Sequence, residues 1–244
     1  MKNKIFLTTL VVVVLLLAPR IGALVADNLN PFFTLIDPDK KFMWGIVHHI
    51  IQALIPIFVI LIWKKDFFKD WGLKWGNKPL GWKWVGWFTL VWIFVYVGIN
   101  TYNFLTNNIP EAYYDITNTR NFLGELFFRG FIVGPSEEIL FRSFPIVLLL
   151  TAGFTKRTDI FSFVITYAGI IAAVLFALAH IGFNFYPFEI YHFNLVQIVT
   201  SLGFGLLYSI VFHQTKSIYY PMIIHSISDV IPVLALYFLY LMQY

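Results

Sequence analysis

Cysteine is absent from the sequence. That excludes disulfides, thiolate metal sites and a cysteine nucleophile. Charge is scarce as well, with Asp, Glu, Lys and Arg making up 12% of the 244 residues. Internal repeats, low-complexity segments and basic stripes are also missing, so nothing points to a nucleic-acid partner. What fills the chain instead is apolar: 59% of residues are hydrophobic and the mean hydropathy is +0.75. No stretch is left over for a sizeable soluble domain.

A helix that crosses a bilayer needs about 20 mostly apolar residues. About seven runs qualify, at roughly 5–26, 43–63, 82–105, 127–152, 160–180, 193–213 and 218–240. The expected fold is all-α, a polytopic transmembrane helix bundle with the lipid bilayer as its first partner. The first run follows Met1-Lys-Asn-Lys4 and lacks a small-x-small cleavage site, which favours an uncleaved first helix over a signal peptide. Lys2, Lys4, Lys64, Lys65, Lys69, Lys74, Lys78, Lys83, Lys156, Arg157 and Lys216 fall on one side if the helices alternate. By the positive-inside rule the N-terminus is then cytoplasmic. The loop from Lys64 to Gly81 carries Trp and Lys residues that suit an interfacial segment or an aromatic-anchored loop.

Against this background, Glu137 and Glu138 are conspicuous. A charged group at membrane depth costs about 2.5–3.5 kcal/mol on insertion scales, so it is expected to have a partner or a function. Residues four apart share a helix face, so Glu138 can pair with Arg142 while Glu137 points about 100° away. A structural ion pair would explain Glu138 and Arg142, but not Glu137. Gly134 and Pro135 put the two carboxylates near the start of a helical stretch. His180 closes the fifth run, one turn after Phe176. His225 and Asp229 share a face of the last run, where an isolated Asp would be costly. Three helices thus offer ionisable groups to a common interior. His48 and His49 have no acidic neighbour in their own helix and read as packing or interfacial. His192 and His213 lie near helix ends and receive no role.

Glu137-Glu-Ile-Leu-Phe-Arg142 fits EExxxR, Phe176-Ala-Leu-Ala-His180 fits FxxxH, and His225-Ser-Ile-Ser-Asp229 fits Hxxx(N/D). In this order the trio resembles the CAAX-protease and bacteriocin-processing (CPBP/Abi) family, over about residues 121–240. The resemblance implies a membrane-embedded glutamic endopeptidase acting on a hydrophobic or membrane-associated peptide, without a cofactor. It divides the chain into N-terminal helices with the interfacial loop (1–120) and a catalytic four-helix core (121–244). Carried over by position, Glu137 and His180 activate a water, and His225 with Asp229 supports the oxyanion. Glu138, Arg142 and Phe176 are supporting residues. Asp229 departs from the eukaryotic Asn: an ionised Asp cannot donate to an oxyanion, but it can orient His225 and favour its protonated form. A bacterial plasma membrane is the expected location. Bacteriocin or peptide-pheromone processing, self-immunity and cleavage of a lipidated C-terminus are all open as physiological roles.

Two other chemistries fit the same residues. Glu137, His180 and His225 can be read as a His₂Glu zinc site, although the helical HExxH signature is missing. Intramembrane Glu, His, Asp and Arg also build proton relays in transporters, though no inverted repeat is visible. A non-proteolytic scaffold would not need the complete motifs.

Overall fold

The computed structural model describes residues 2–63, 71–111, 115–160, 163–185 and 187–242. The long apolar runs form α1 (Lys2–Leu29), α2 (Met43–Trp63) and α3 (Lys78–Leu105). Among the described residues, five helices are long and apolar enough to cross a membrane. These are the three above and the last two, α8 (Leu195–Thr215) and α9 (Tyr219–Leu241). The chain is an all-α, multi-pass membrane bundle. Side-chain caps set several helix starts, because the first N–H groups of a helix lack internal partners. Asp37 takes the backbone N–H groups of Lys41, Phe42 and Met43 at 2.9, 2.8 and 2.8 Å, just ahead of α2.

The fourth expected run, 127–152, is one interrupted helix. It comprises α4 (Thr119–Phe127), a π turn (Phe128–Val133), α5 (Gly134–Glu138), a second π turn (Ile139–Ser143) and α6 (Phe144–Thr151). The prolines account for the interruptions. Pro135 and Pro145 each sit just beyond a π turn. A proline lacks the N–H and its ring collides with the carbonyl four residues earlier; widening the preceding turn moves that carbonyl away.

The fifth run differs from expectation. A hairpin of β1 (Arg157–Ile160) and β2 (Phe163–Thr166) takes its first part, leaving α7 (Tyr167–Leu178) with 12 residues. At 1.5 Å per residue α7 is about 18 Å long, short of the ~30 Å hydrocarbon core. The expected seven regular spans are therefore five, plus the interrupted helix and this short one. A second hairpin, β3 (Gly182–Phe185) with β4 (Phe188–His192), follows α7.

The core has two parts. One joins α1, α2, α6 and α7 through residues such as Val11, Ile60, Phe144, Ile146 and Ala172. The other joins α3, α8 and α9 through Val85, Tyr208, Val211, Tyr220 and Ile224. The described part of the loop before α3, residues 71–77, is bound to the protein. Trp71 is 1% exposed, its carbonyl accepts the Ser143 hydroxyl at 2.6 Å, and the Gly72 carbonyl accepts the Ile218 N–H at 2.8 Å. Gly72 has φ +75°, and a Cβ there would lie 2.4 Å from the Phe212 ring. Residues 64–70, which hold Lys64, Lys65 and Lys69, lie outside the described residues.

Candidate active site

The π turns on either side of α5 isolate the two glutamates on a single short helical segment. π turns inside α-helices occur frequently at functional sites. α9 packs directly on this segment, and Gly134 makes the approach possible. A Cβ at Gly134 would meet the Ser226 hydroxyl oxygen at 2.6 Å and the Met222 carbonyl at 2.8 Å. This contact brings His225 to the carboxylates.

The two glutamates have different surroundings. Glu138 is fully buried and accepts a hydrogen bond from Nδ1 of His225 at 2.8 Å. Its other oxygen lies 3.4 Å from Nε of Arg142. Sequence spacing pairs Glu138 with Arg142; the structure adds that the same carboxylate fixes the His225 ring. The Glu137 side chain retains 16% exposure, and its Oε2 lies 3.6 Å from Nε2 of His225. Asp229 reaches that same Nε2 edge, at 3.9 Å. The orienting contact on His225 thus comes from Glu138, because Asp229, one turn along the same helix, meets the opposite edge of the ring.

Arg142 is fully buried, and among the described residues no hydrogen bond reaches its guanidinium. Its charge is met by Glu138 and by ring faces, with the guanidinium carbon 4.1 Å from the Phe176 centroid and 5.3 Å from that of Tyr208. Such cation–π contacts stabilise a desolvated guanidinium by up to about 2 kcal/mol each. Phe176 also stands edge-on to His180 and to His225, with centroids 4.8 and 6.0 Å apart. One ring therefore packs against both histidines and the arginine.

His180 lies in the turn after α7, where its Nδ1 donates to the Phe176 carbonyl at 2.8 Å. That bond places the proton on Nδ1 in the neutral ring and leaves Nε2 as an acceptor. His180 interacts electrostatically with both Glu137 and Asp229. Residues 137, 180, 225 and 229 thus converge, with 138, 142 and 176 packed beneath them.

Sequence reading did not single out the residues that support His225 from behind. Tyr208 stacks on its ring at 5.0 Å and hydrogen-bonds Ser228, whose hydroxyl bonds the His225 carbonyl at 2.7 Å. Pro232 cannot donate to the Ser228 carbonyl four residues earlier. The Trp92 indole N–H supplies that bond from α3, at 3.1 Å. His49 is a further surprise: it lies in α2, yet its Nδ1 is 3.9 Å from Oε1 of Glu137. Among the described residues, no group of three or more His, Asp and Glu side chains is arranged to hold a metal ion, and Glu137, His180 and His225 do not form one.

Comparison with known proteins adds one finding. Residues 119–231 match the family described as Rce1-like, Type II CAAX prenyl endopeptidase Rce1-like. No curated protein and no solved structure matches the chain. The matched stretch runs from the first turn of α4 into α9 and contains all three motifs. With the three motifs in order and their side chains gathered at one point in the bundle, residues 119–231 place this part of the chain in the CAAX-protease and bacteriocin-processing family, a family of membrane proteases.

Proposed function

We propose that the chain is an intramembrane glutamic endopeptidase that hydrolyses a peptide bond in a hydrophobic or membrane-associated peptide. The observation that carries this reading is the asymmetry of the adjacent carboxylates. Glu138 is sealed in and holds His225, whereas Glu137 keeps partial exposure beside that imidazole.

Peptide hydrolysis needs an activated water and a stabilised tetrahedral oxyanion. In this reading a water lies between Glu137 and Nε2 of His180. Glu137 takes its proton as the oxygen attacks the scissile carbonyl carbon. The developing oxyanion accepts from Nε2–H of His225. With Nδ1–H given to Glu138, this donor is an imidazolium, whose charge is balanced by carboxylates at 2.8, 3.6 and 3.9 Å. Collapse breaks the C–N bond, and the proton returns to the leaving amine through Glu137 or His180. Asp229 contributes charge at the His225 edge. The scheme calls on no metal.

The substrate enters from the lipid side. An apolar groove of about 640 Å³ between the interrupted helix and α9 is lined by Leu126, Phe131, Pro135, Met222, Ile223 and Ile227. Its walls come from the two elements that carry Glu137 and His225, with Pro135 on the first and Ile227 on the second. The protein sits in a bacterial plasma membrane with its N-terminus cytoplasmic, and processing of a bacteriocin or peptide pheromone, or self-immunity, is its physiological role.

The test compares the peptides released by cells carrying the wild-type chain with those from cells carrying Glu137→Gln, His180→Ala or His225→Ala at matched expression. Cleaved termini present only with the wild type are expected. Equal cleavage by all three variants refutes the peptidase reading. Activity of the purified protein is expected to survive EDTA and 1,10-phenanthroline; loss of activity that zinc restores would instead establish a metalloprotease.

A further inference from the structure

α2 lies outside the stretch that matches the family, yet it carries a connected polar cluster into the site. Nδ1 of His49 lies 2.9 Å from the Ser136 hydroxyl and 2.7 Å from the amide nitrogen of Gln52. The Gln52 amide nitrogen also lies 3.5 Å from the Ser136 hydroxyl, which in turn donates to the Val133 carbonyl at 2.9 Å. Gln52 is 2% exposed and Ser136 4%. Buried polar side chains at membrane depth need a partner or a function. Beside this cluster, Oε1 of Glu137 lies 3.9 Å from Nδ1 of His49. His225 faces the other oxygen of the same carboxylate, at 3.6 Å. An imidazole therefore stands at each oxygen of Glu137.

The fit of α2 against the interrupted helix is close. A Cβ at Gly45, one turn before His49, would lie 2.5 Å from the Phe128 ring. Phe128 itself stands edge-on to His49 at 5.2 Å. The ring is held on this edge by Phe128 and on its Nδ1 side by Gln52 and Ser136.

We infer that His49 is a positioning residue for Glu137. With Nδ1 bonded to Gln52 and Ser136, its ring stands beside Oε1 of Glu137 at 3.9 Å, beyond hydrogen-bonding distance, and limits the rotation of the carboxylate so that one oxygen faces His225 and the water while the other faces α2. The inference rests on the peptidase reading above. It extends the active site to a helix that carries none of the three motifs. A carboxylate free to turn would spend most of its time out of line with the water, and a misplacement of about 1 Å can cost ~10²-fold in rate.

The experiment uses purified full-length protein in phosphatidylcholine nanodiscs and a quenched-fluorescent peptide built on the cleavage site found by the peptide comparison. His49→Leu is expected to lower kcat by ~10²-fold while KM stays within about 2-fold, the pattern of a lost transition-state interaction. His49→Asn, whose amide stands near the position of Nδ1, is expected to recover at least about a tenth of the wild-type kcat. Unchanged kcat in His49→Leu overturns the inference. So does a parallel change in kcat and KM with Asn no better than Leu, which marks a packing role only. Where His49→Leu does not accumulate, Gln52→Leu decides the matter: a fall in kcat at constant KM supports the inference, and wild-type kinetics overturns it. Glu137→Gln separates the two levels. If it is fully active, the peptidase reading fails; if it is inactive while the His49 variants are normal, the His49 inference alone fails.

Discussion

Glu137→Gln and Glu138→Gln are isosteric changes at adjacent positions, and the structure assigns them opposite consequences. Glu138 is fully buried, lies 3.4 Å from Nε of Arg142 and accepts from His225 at 2.8 Å. At an effective dielectric constant of 20, the Coulomb energy of unit charges at that separation is about 5 kcal/mol. Removing one partner of a buried pair typically costs ~3–5 kcal/mol, because the other charge stays behind. The Phe176 and Tyr208 rings still face Arg142, and the Gln oxygen can still accept from His225, so about 3 kcal/mol is expected. That is a ~10²-fold shift in the unfolding equilibrium. Glu137, whose imidazole contacts are longer at 3.6 and 3.9 Å, is expected to lose less than about 1 kcal/mol as Gln. Reversible unfolding in mixed micelles by increasing SDS fraction measures the first quantity, and peptide cleavage measures the second. Glu137→Gln should be stable and inactive; Glu138→Gln should be destabilised. Adding Arg142→Met to Glu138→Gln should cost less than Arg142→Met alone, since the stranded charge is already unpaired. Equal stability loss in the two glutamine variants, or additive costs in the double variant, would refute the assignment.

Gly134→Ala places a methyl group against the Ser226 hydroxyl and the Met222 carbonyl, so α9 must retreat from the carboxylates. A loss of about 1–3 kcal/mol is expected, with a disproportionate fall in cleavage, read by the same unfolding titration and peptide assay. Trp92→Phe removes the donor to the Ser228 carbonyl that Pro232 leaves unbonded. It should cost about 1–3 kcal/mol in that titration, and adding Pro232→Ala should recover part of it by restoring the helical donor.

The long spans were legible because uninterrupted apolar runs at α1, α2, α3, α8 and α9 leave no alternative at their length. The hairpin at 157–166 was hidden inside such a run. Thr158, Ile160, Val164, Ile165 and Thr166 are β-branched, but an apolar run of this length does not by itself separate strand from buried helix. The three motifs named the residues that converge, since each is local in sequence. What they did not convey is which group each side chain touches. Glu138 was assigned to Arg142 from spacing, while its shortest contact is with His225, 87 residues away. His49 carried a faint local signal: Gln52, one turn on, is a second polar side chain in an apolar helix. Its neighbour Glu137 is remote in the chain, so no periodicity could reveal the pairing.

The two π turns have a consequence for how this protein can diverge. Each behaves as a one-residue surplus in an otherwise regular helix, so α5 is out of phase with the segments before and after it. Losing a single residue from either turn would restore an ordinary α-helix at little cost in backbone bonding. It would also rotate the Glu-bearing segment relative to one of its flanks. Chain length within 128–133 and 139–143 therefore matters to the site as the identities of Phe128 and Arg142 do. An insertion or deletion that a lipid-facing helix would absorb elsewhere turns the carboxylates away from the histidines here.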